Sequence, residues 1–327
     1  MIKVALFCDT SKALGGIYTY CLALKKLMES SNKYSVTVFH DLPYKQRFKY
    51  FQVYDETTIA SALQSDDYDI IHINGFISTI PFFIYKVIKS LNINKPIVFT
   101  PHAHPFKTLN HPFLNRLYFY FFIKPVLIKA NTIISINKED GSFLSKYNKN
   151  VFTIPHWSDK KIEPIQKKIS EKPTLLFVGR NEDNKNLKIL YSLPKDKYEI
   201  ICVTNIKPDR DDFIFKTRIS YEELLSLYAK ASLTVVPSRY EAFSYAAMES
   251  LLSGTPVLIS NRVRIADFLD NISGVTIYDY EKTSDFINKI DDAIKQVVDV
   301  DCVKNVFSVE KAFQAYSQIY NACIVNA

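Results

Sequence analysis

Short runs of β-branched and apolar residues, separated by helix-like stretches, recur along this 327-residue chain in two series. The first series is Ile2–Phe7, Val36–His40, Asp69–Ile73, Ile97–Thr100, Thr132–Ile136 and Val151–Ile154. The second is Leu175–Val178, Tyr198–Val203, Leu233–Val236, Val257–Ile259 and Val275–Tyr278. Strands alternating with helices imply parallel sheet built from βαβ units. Between the series, His156 to Pro173 is rich in Lys and Pro and has no sustained apolar periodicity, so it reads as a linker. The predicted fold is α/β, with two tandem doubly wound, Rossmann-like domains at 1–155 and 174–307 and a linker at 156–173. A terminal helix is expected at 308–327, crossing back to the N-terminal domain, with Val309, Ala312, Phe313, Tyr316, Ile319 and Tyr320 at helical intervals. At roughly 100–200 residues per domain, the length agrees with two domains. Ligands of such domains sit at the carboxyl ends of the strands, and two facing domains would form a central cleft.

Composition narrows the classes. Hydrophobic residues make up 47% and charged residues 23%, with only 7 Gly, which excludes collagen-like and wholly disordered chains. The net charge of +7 comes from scattered Lys and Arg, without the long basic runs of a nucleic-acid binder. The 5 cysteines are far apart and form no C-x-x-C pair, so neither a disulfide framework nor a zinc site is implied and a reducing cytoplasm is expected. The apolar run Val4–Cys8 is too short for a secretory signal. The most apolar stretch, Leu114 to Ala130, is broken by Arg116, Lys124, Pro125 and Lys129, so a membrane span is not expected. That stretch and Tyr44–Phe51 both mix cations with aromatic rings. They read either as a peripheral contact with an anionic membrane, at its inner face, or as core aromatics beneath a solvated cationic face.

The sharpest local signal runs from Pro237 to Val257 (PSRYEAFSYAAMESLLSGTPV), after the strand ending at Val236. Ser244 can cap a helix, Gly254 can end it in the left-handed region, and Thr255-Pro256 leads into the next strand. Backbone N–H groups near Phe243, Ser244, Tyr245 and Ala246, aided by the helix dipole, would form an anion site suited to phosphate. Glu241 before the helix and Glu249 within it bracket that site, and carboxylates accept hydrogen bonds from paired sugar hydroxyls.

Glu241 and Glu249, with Pro-Ser before them and Ser-Gly-Thr-Pro-Val after, resemble the E-x7-E signature of the family-4 retaining glycosyltransferases of GT-B architecture. Other segments resemble that family in the same order. Phe177-Val178-Gly179-Arg180 and Lys185-Asn186-Leu187 look like its strand, G-R loop and K-G, with Asn186 where Gly is usual. Gly15-Gly16 follows the first strand as the family's cleft glycines do, and Thr100-Pro101-His102 resembles its T-x-H strand end. Asp69 to Asn74 resembles D-x-x-H-x-H with Asn74 in the last position, which leaves His72 open to a structural or a functional reading. His156-Trp157 replaces the family's Asn-Gly at the domain junction. Asn261 to Asp267 departs from its glycine-containing loop.

The resemblance implies transfer of a sugar from a nucleoside-diphosphate donor to an acceptor hydroxyl with retention, the departing phosphate taking the acceptor's proton. Glu241 would grip sugar hydroxyls, Glu249 the ribose, and Arg180 with Lys185 the diphosphate. Phe243, Ser244 and Tyr245 would hold the donor at the helix N-terminus, and His102 and the Gly15-Gly16 loop would complete the site. UDP is the base implied by family frequency, the acceptor a glycan or lipid-linked glycan of cell-surface polysaccharide synthesis, and no cofactor or metal is implied. His102, His104 and His111 lack an identifiable further zinc ligand. Asp209-Arg210-Asp211 lies in a polar loop and reads as solvent-exposed. A sugar-nucleotide epimerase of the same fold, or a non-catalytic sugar-nucleotide or glycan-binding subunit, are the rival readings.

Overall fold

The computed structural model describes residues 1–9, 16–48, 51–76, 78–107, 112–160, 162 and 172–325. The chain forms two compact units, one comprising Met1–Trp157 with Val309–Ala327 and the other Ser158–Ser308. Gly15 lies outside the described residues, as do His111 and most of the segment between Lys161 and Glu171.

Unit 1 contains β1 (Ile2–Cys8), β2 (Tyr34–Phe39), β3 (Tyr44–Arg47), β4 (Gln52–Tyr54), β5 (Ile70–Asn74), β6 (Ile97–Thr100), β7 (Thr132–Ser135) and β8 (Val151–Thr153). Six of them make a parallel sheet in the order β2-β1-β5-β6-β7-β8. β3 and β4 pair separately as an antiparallel hairpin. That hairpin is absent from the expected series, because every residue of β3 is exposed and the segment carries no apolar alternation. The inner strands β5, β6 and β7 are buried throughout, so their sequences read as continuous apolar runs. Two apolar clusters cover the faces of the sheet.

One of those clusters depends on the end of the chain. The helix Val309–Val325 buries Ala312, Tyr316, Ile319, Tyr320 and Cys323, the spacing of one helical face. They pack with Tyr20, Cys21 and Leu24 of the helix Gly16–Glu29 and with Val4 and Leu6 of β1. The hydroxyls of Tyr20 and Tyr316 are hydrogen-bonded to each other. His156 and Trp157, placed by sequence at the start of the linker, belong instead to unit 1 and are buried there. Their rings stand edge-on to Tyr20 at centroid distances of 5.0 and 5.7 Å, and Trp157 also meets Tyr316 at 5.7 Å. His156 and Trp157, standing where the family pattern has Asn-Gly, thus contribute rings to this layer of the core.

Unit 2 contains β9 (Thr174–Val178), β10 (Glu199–Val203), β11 (Phe213–Lys216), β12 (Leu233–Val236), β13 (Val257–Ser260) and β14 (Val275–Tyr278). They form a parallel sheet in the order β11-β10-β9-β12-β13-β14. Each sheet thus reverses its winding once, between β1 and β5 in unit 1 and between β9 and β12 in unit 2. In open α/β sheets that reversal leaves a crevice at the carboxyl ends of the strands. Among the described residues, no helix is long and apolar enough to cross a membrane.

Tyr316 is fully buried, so Tyr316→Ala should lower the unfolding free energy of unit 1 by about 3–5 kcal/mol. Chemical denaturation checks this; a loss below about 1 kcal/mol would contradict its place in the core.

Candidate functional site

At the switch point of unit 2, the loop between β12 and the helix Tyr245–Leu252 is tied down on both sides. Arg239 N–H donates to the Asn184 carbonyl at 2.7 Å, and Asn184 Nδ2 donates to the Tyr240 carbonyl at 2.9 Å. On the other side, Glu241 bridges to Val263, and Arg264 N–H donates to the Glu241 carbonyl at 2.9 Å. The segment Asn261–Asp267, which departs from the family pattern, therefore still fixes the backbone of Glu241.

The helix begins and ends as its sequence implies. Ser244 has extended backbone, and its Oγ accepts from Ala247 N–H at the N-cap. At the other end Gly254 takes φ +78°, Gly254 N–H donates to Leu251 O and Thr255 N–H to Ser250 O. That pair of bonds is a Schellman motif, which needs a residue comfortable in the left-handed region. Ser250 Oγ donates to Thr234 Oγ1 of β12 at 2.8 Å, and Thr255 Oγ1 to the Tyr228 carbonyl at 2.6 Å. The helix is thus locked to the strand before it and to its neighbour Tyr221–Lys230.

Glu241 and Glu249 sit in different surroundings. Glu241 Oε1 receives Lys185 Nζ at 2.7 Å and the hydroxyl of Ser238. Lys185 reaches it because Asn186 turns the chain with φ +51° and ψ +38°. Asn adopts that left-handed conformation more readily than most residues, so Asn186 does the work of a glycine here. Glu249 receives the Tyr221 hydroxyl at 3.1 Å, and Lys160 lies over the Tyr221 ring, 3.1 Å from its centroid. Burial pushes the Glu249 carboxyl above its usual range, outweighing Lys160 and the tyrosine hydroxyls of Tyr221 and Tyr228. Arg180 is not drawn into this group: it is 59% exposed and pairs with Glu182 at 3.0 Å. Phe243 is buried against Phe307 and Tyr245, with both ring centroids at 5.7 Å.

At the switch point of unit 1, His102 has φ +65° and its Nε2 lies 3.0 Å from Asn74 Oδ1. The amide oxygen only accepts, so Nε2 carries the proton. The ring meets Tyr20 edge-on at 4.4 Å and lies nearly parallel to His156 at 6.0 Å. Burial, reinforced by the nearby imidazoles of His156 and His72, holds His102 neutral. His72 is structural: it is fully buried, with Nδ1 on Tyr320 Oη at 2.7 Å and Nε2 on Thr100 Oγ1 at 2.8 Å. Burial lowers its pKa to about 3. His104 Nδ1 accepts from Phe106 N–H at 3.2 Å. Gly16 opens the helix Gly16–Glu29, and a Cβ there would meet open space. In the Asp209-Arg210-Asp211 segment, Asp211 is exposed and pairs with Lys195, while Arg210 ties its loop to the carbonyls of Leu190, Tyr191 and Leu193.

Several residues at these edges carry no sequence signal of their own. Asp9, just past β1, accepts from Ser78 N–H and from its hydroxyl. With Asp41, Tyr44 and Tyr54 it lines a cavity of about 250 Å³. Tyr221 is another; only its contact with Glu249 singles it out.

Known proteins bear out the architecture. Over the whole chain the structure is similar to a sucrose-phosphate synthase from Thermosynechococcus elongatus, with TM-score 0.78, 16% identity and 100% of each chain covered. It is also similar to Anabaena Alr3699/HepE in complex with UDP and glucose, with TM-score 0.70, 13% identity and coverage of 98% of this chain and 100% of that one. The fold is GT-B. Residues 194–305 match the family model described as Glycosyl transferases group 1. In sequence, the chain is 26% identical over 202 residues to the O-antigen chain mannosyltransferase RfbU of Salmonella typhimurium, covering 51% of this chain and 57% of the relative. The family match and this relative support a glycosyltransferase.

Because the folded-state pKa of Glu249 is raised, its ionisation destabilises the native state as pH rises through and above the ordinary Glu value. Glu249→Gln should therefore melt higher than the native chain at pH 7, and the gap should close toward pH 4. A gap independent of pH would show that the carboxyl carries no burial penalty.

Proposed function

We propose that the chain is a retaining, metal-independent glycosyltransferase that moves a sugar from a nucleoside-diphosphate donor to a hydroxyl of a glycan or lipid-linked acceptor. The observation that carries this reading is the Lys185–Glu241 ion pair at the head of the helix Tyr245–Leu252, with Glu249 four residues inside that helix. Two carboxylates and a helix N-terminus within one loop and helix, with a cation brought to them from the loop after β9, suit a ligand that combines a diphosphate with hydroxyl-bearing rings.

In this reading Lys185 shifts part of its charge from Glu241 to the diphosphate, and Arg180, exposed and beside Glu182, swings to the same group. Glu241, released from full neutralisation, accepts from sugar hydroxyls, and Glu249 accepts from the ribose. The bond between the anomeric carbon and the phosphate oxygen breaks as the acceptor oxygen attacks from the same face. The acceptor's proton passes to the departing phosphate, so no side-chain base is required. Charge accumulates on that phosphate in the transition state, where fixed positive charge and helix amides lower the barrier most. Unit 1 takes the acceptor, with neutral His102 and Gly16 at its switch point.

UDP is the proposed nucleotide, supported by the UDP and glucose in the HepE complex, and a surface polysaccharide chain is the proposed acceptor, supported by the O-antigen role of RfbU. The free cysteines fit a reducing compartment.

Thermal melting with UDP, GDP, ADP and CMP tests the donor site. At about 100 times its dissociation constant, the matching nucleotide should add roughly 2.7 kcal/mol of stability, and Glu249→Ala should remove that gain. If no nucleotide diphosphate stabilises the native chain, or the mutant responds equally, the donor assignment fails.

A further inference from the structure

Unit 1 carries a continuous face that its own fold leaves uncovered. The helix Pro112–Tyr118, the π-helical turn Phe119–Ile123 and the helix Lys124–Lys129 run on from one another. Their inner side is buried at Asn115, Phe119, Ile123, Val126 and Leu127. Their outer side presents Phe113 at 73% exposure, Tyr120 and Phe121 each at 58%, and Ile128 at 48%. Arg116, Lys124 and Lys129 are interleaved with these rings, at the spacing of a single helical face. No Asp or Glu occurs from 112 to 130. Lys124 Nζ lies over the Tyr120 ring, 4.6 Å from its centroid.

The second aromatic-cation segment packs against the same helical segment. Phe48, exposed after β3, stacks on Phe51 at 4.6 Å, and Phe51 stacks on Phe122 of the π-helical turn at 5.8 Å. Stacked rings therefore connect the hairpin to the helical segment through the half-buried Phe122, and Arg47 adds a further exposed cation. Beyond the last turn, Lys129 shares a cavity wall with Lys149 and the exposed ring of Phe152. The exposed rings and cations of the helical segment thus have a second aromatic-cation stretch packed beside them.

We propose that this surface docks unit 1 on an anionic lipid bilayer, with Phe113, Phe121 and Ile128 entering the headgroup boundary and Arg116, Lys124 and Lys129 pairing with lipid phosphates. The charge pattern selects this occupant. A second copy meeting the face symmetrically would set these cations against each other. Aromatic rings flanked by Lys and Arg suit an interface that is apolar on one side and negatively charged on the other. The inference does not depend on the sugar-transfer reading, since it rests on residues apart from the carboxylates and cation of unit 2.

Vesicle flotation with the full chain tests it, comparing phosphatidylcholine alone with phosphatidylcholine containing 30% phosphatidylglycerol, about 30% being enough to give a strongly negative surface. The native chain should float with the anionic vesicles, release as salt is raised, and stay behind with the neutral ones. Replacing Arg116, Lys124 and Lys129 together by Gln should weaken binding by about 100-fold, at about fivefold for each charge. A Phe113→Trp variant adds a reporter that brominated lipid quenches, whereas Trp157 is buried in the core and is shielded. Melting curves confirm that each variant is folded. No flotation of the native chain at low salt, binding unchanged by the triple substitution, or an unquenched Trp at 113 would each overturn the proposal, as would a native dimer that the same substitution leaves as monomer.

Discussion

Parallel strands buried on both faces impose the constraint on which everything else in this chain rests. With helices above and below, neither surface of β5, β6, β12 or β13 can hold a group that needs water. The few polar side chains that enter these strands are paired inside: His72 uses both ring nitrogens, and Thr234 takes the hydroxyl of Ser250. Groups with chemistry to offer are displaced to the carboxyl edge, where the loops leave the sheet. Arg180, Lys185, Glu241, His102 and Gly16 all occupy that edge of their own unit.

The two carboxylates of unit 2 show how position at the edge sets chemistry. Glu241 stands in a loop clamped by backbone bonds on both sides and has a full positive charge within 2.7 Å. Glu249 stands inside the helix, where burial disfavours its charge and a tyrosine hydroxyl supplies only part of the compensation. The first is a neutralised pair that a competing anion could reopen. The second is a charge held at a cost, the kind of group that gains when a ligand brings hydroxyl donors to it. A carboxylate at each end of one short segment thus offers two unlike binding environments.

Much of this was legible in the residues. The doubly wound organisation follows from strand-like runs spaced by helix-like ones, and the cap at Ser244 and the left-handed Gly254 follow from local rules that act within a few residues. Asn186 was readable as a departure from a glycine, and its backbone shows why the departure is tolerated. Contacts across the sequence were not readable. Nothing near Tyr221 announces that its hydroxyl meets a carboxylate 28 residues later, and nothing in His156-Trp157 announces two rings packed on Tyr20. The β3–β4 hairpin escaped because its exposed strand has no buried face to impose a period. The exposed aromatic face illustrates the same limit. Sequence gives the rings and the cations, but only packing decides which rings are core and which are left outside.

The membership of the helix Val309–Val325 in unit 1 carries a consequence for how the chain is made. Domains commonly fold in the order in which the ribosome delivers them. Here the first 157 residues emerge without the helix that buries Tyr20, Val4 and Leu6, and they wait while Ser158–Ser308 is synthesised. Unit 2 is continuous and can close as soon as it leaves the exit tunnel. Unit 1 is therefore completed after unit 2, and during that interval one face of its sheet is open to chaperones and to misassociation.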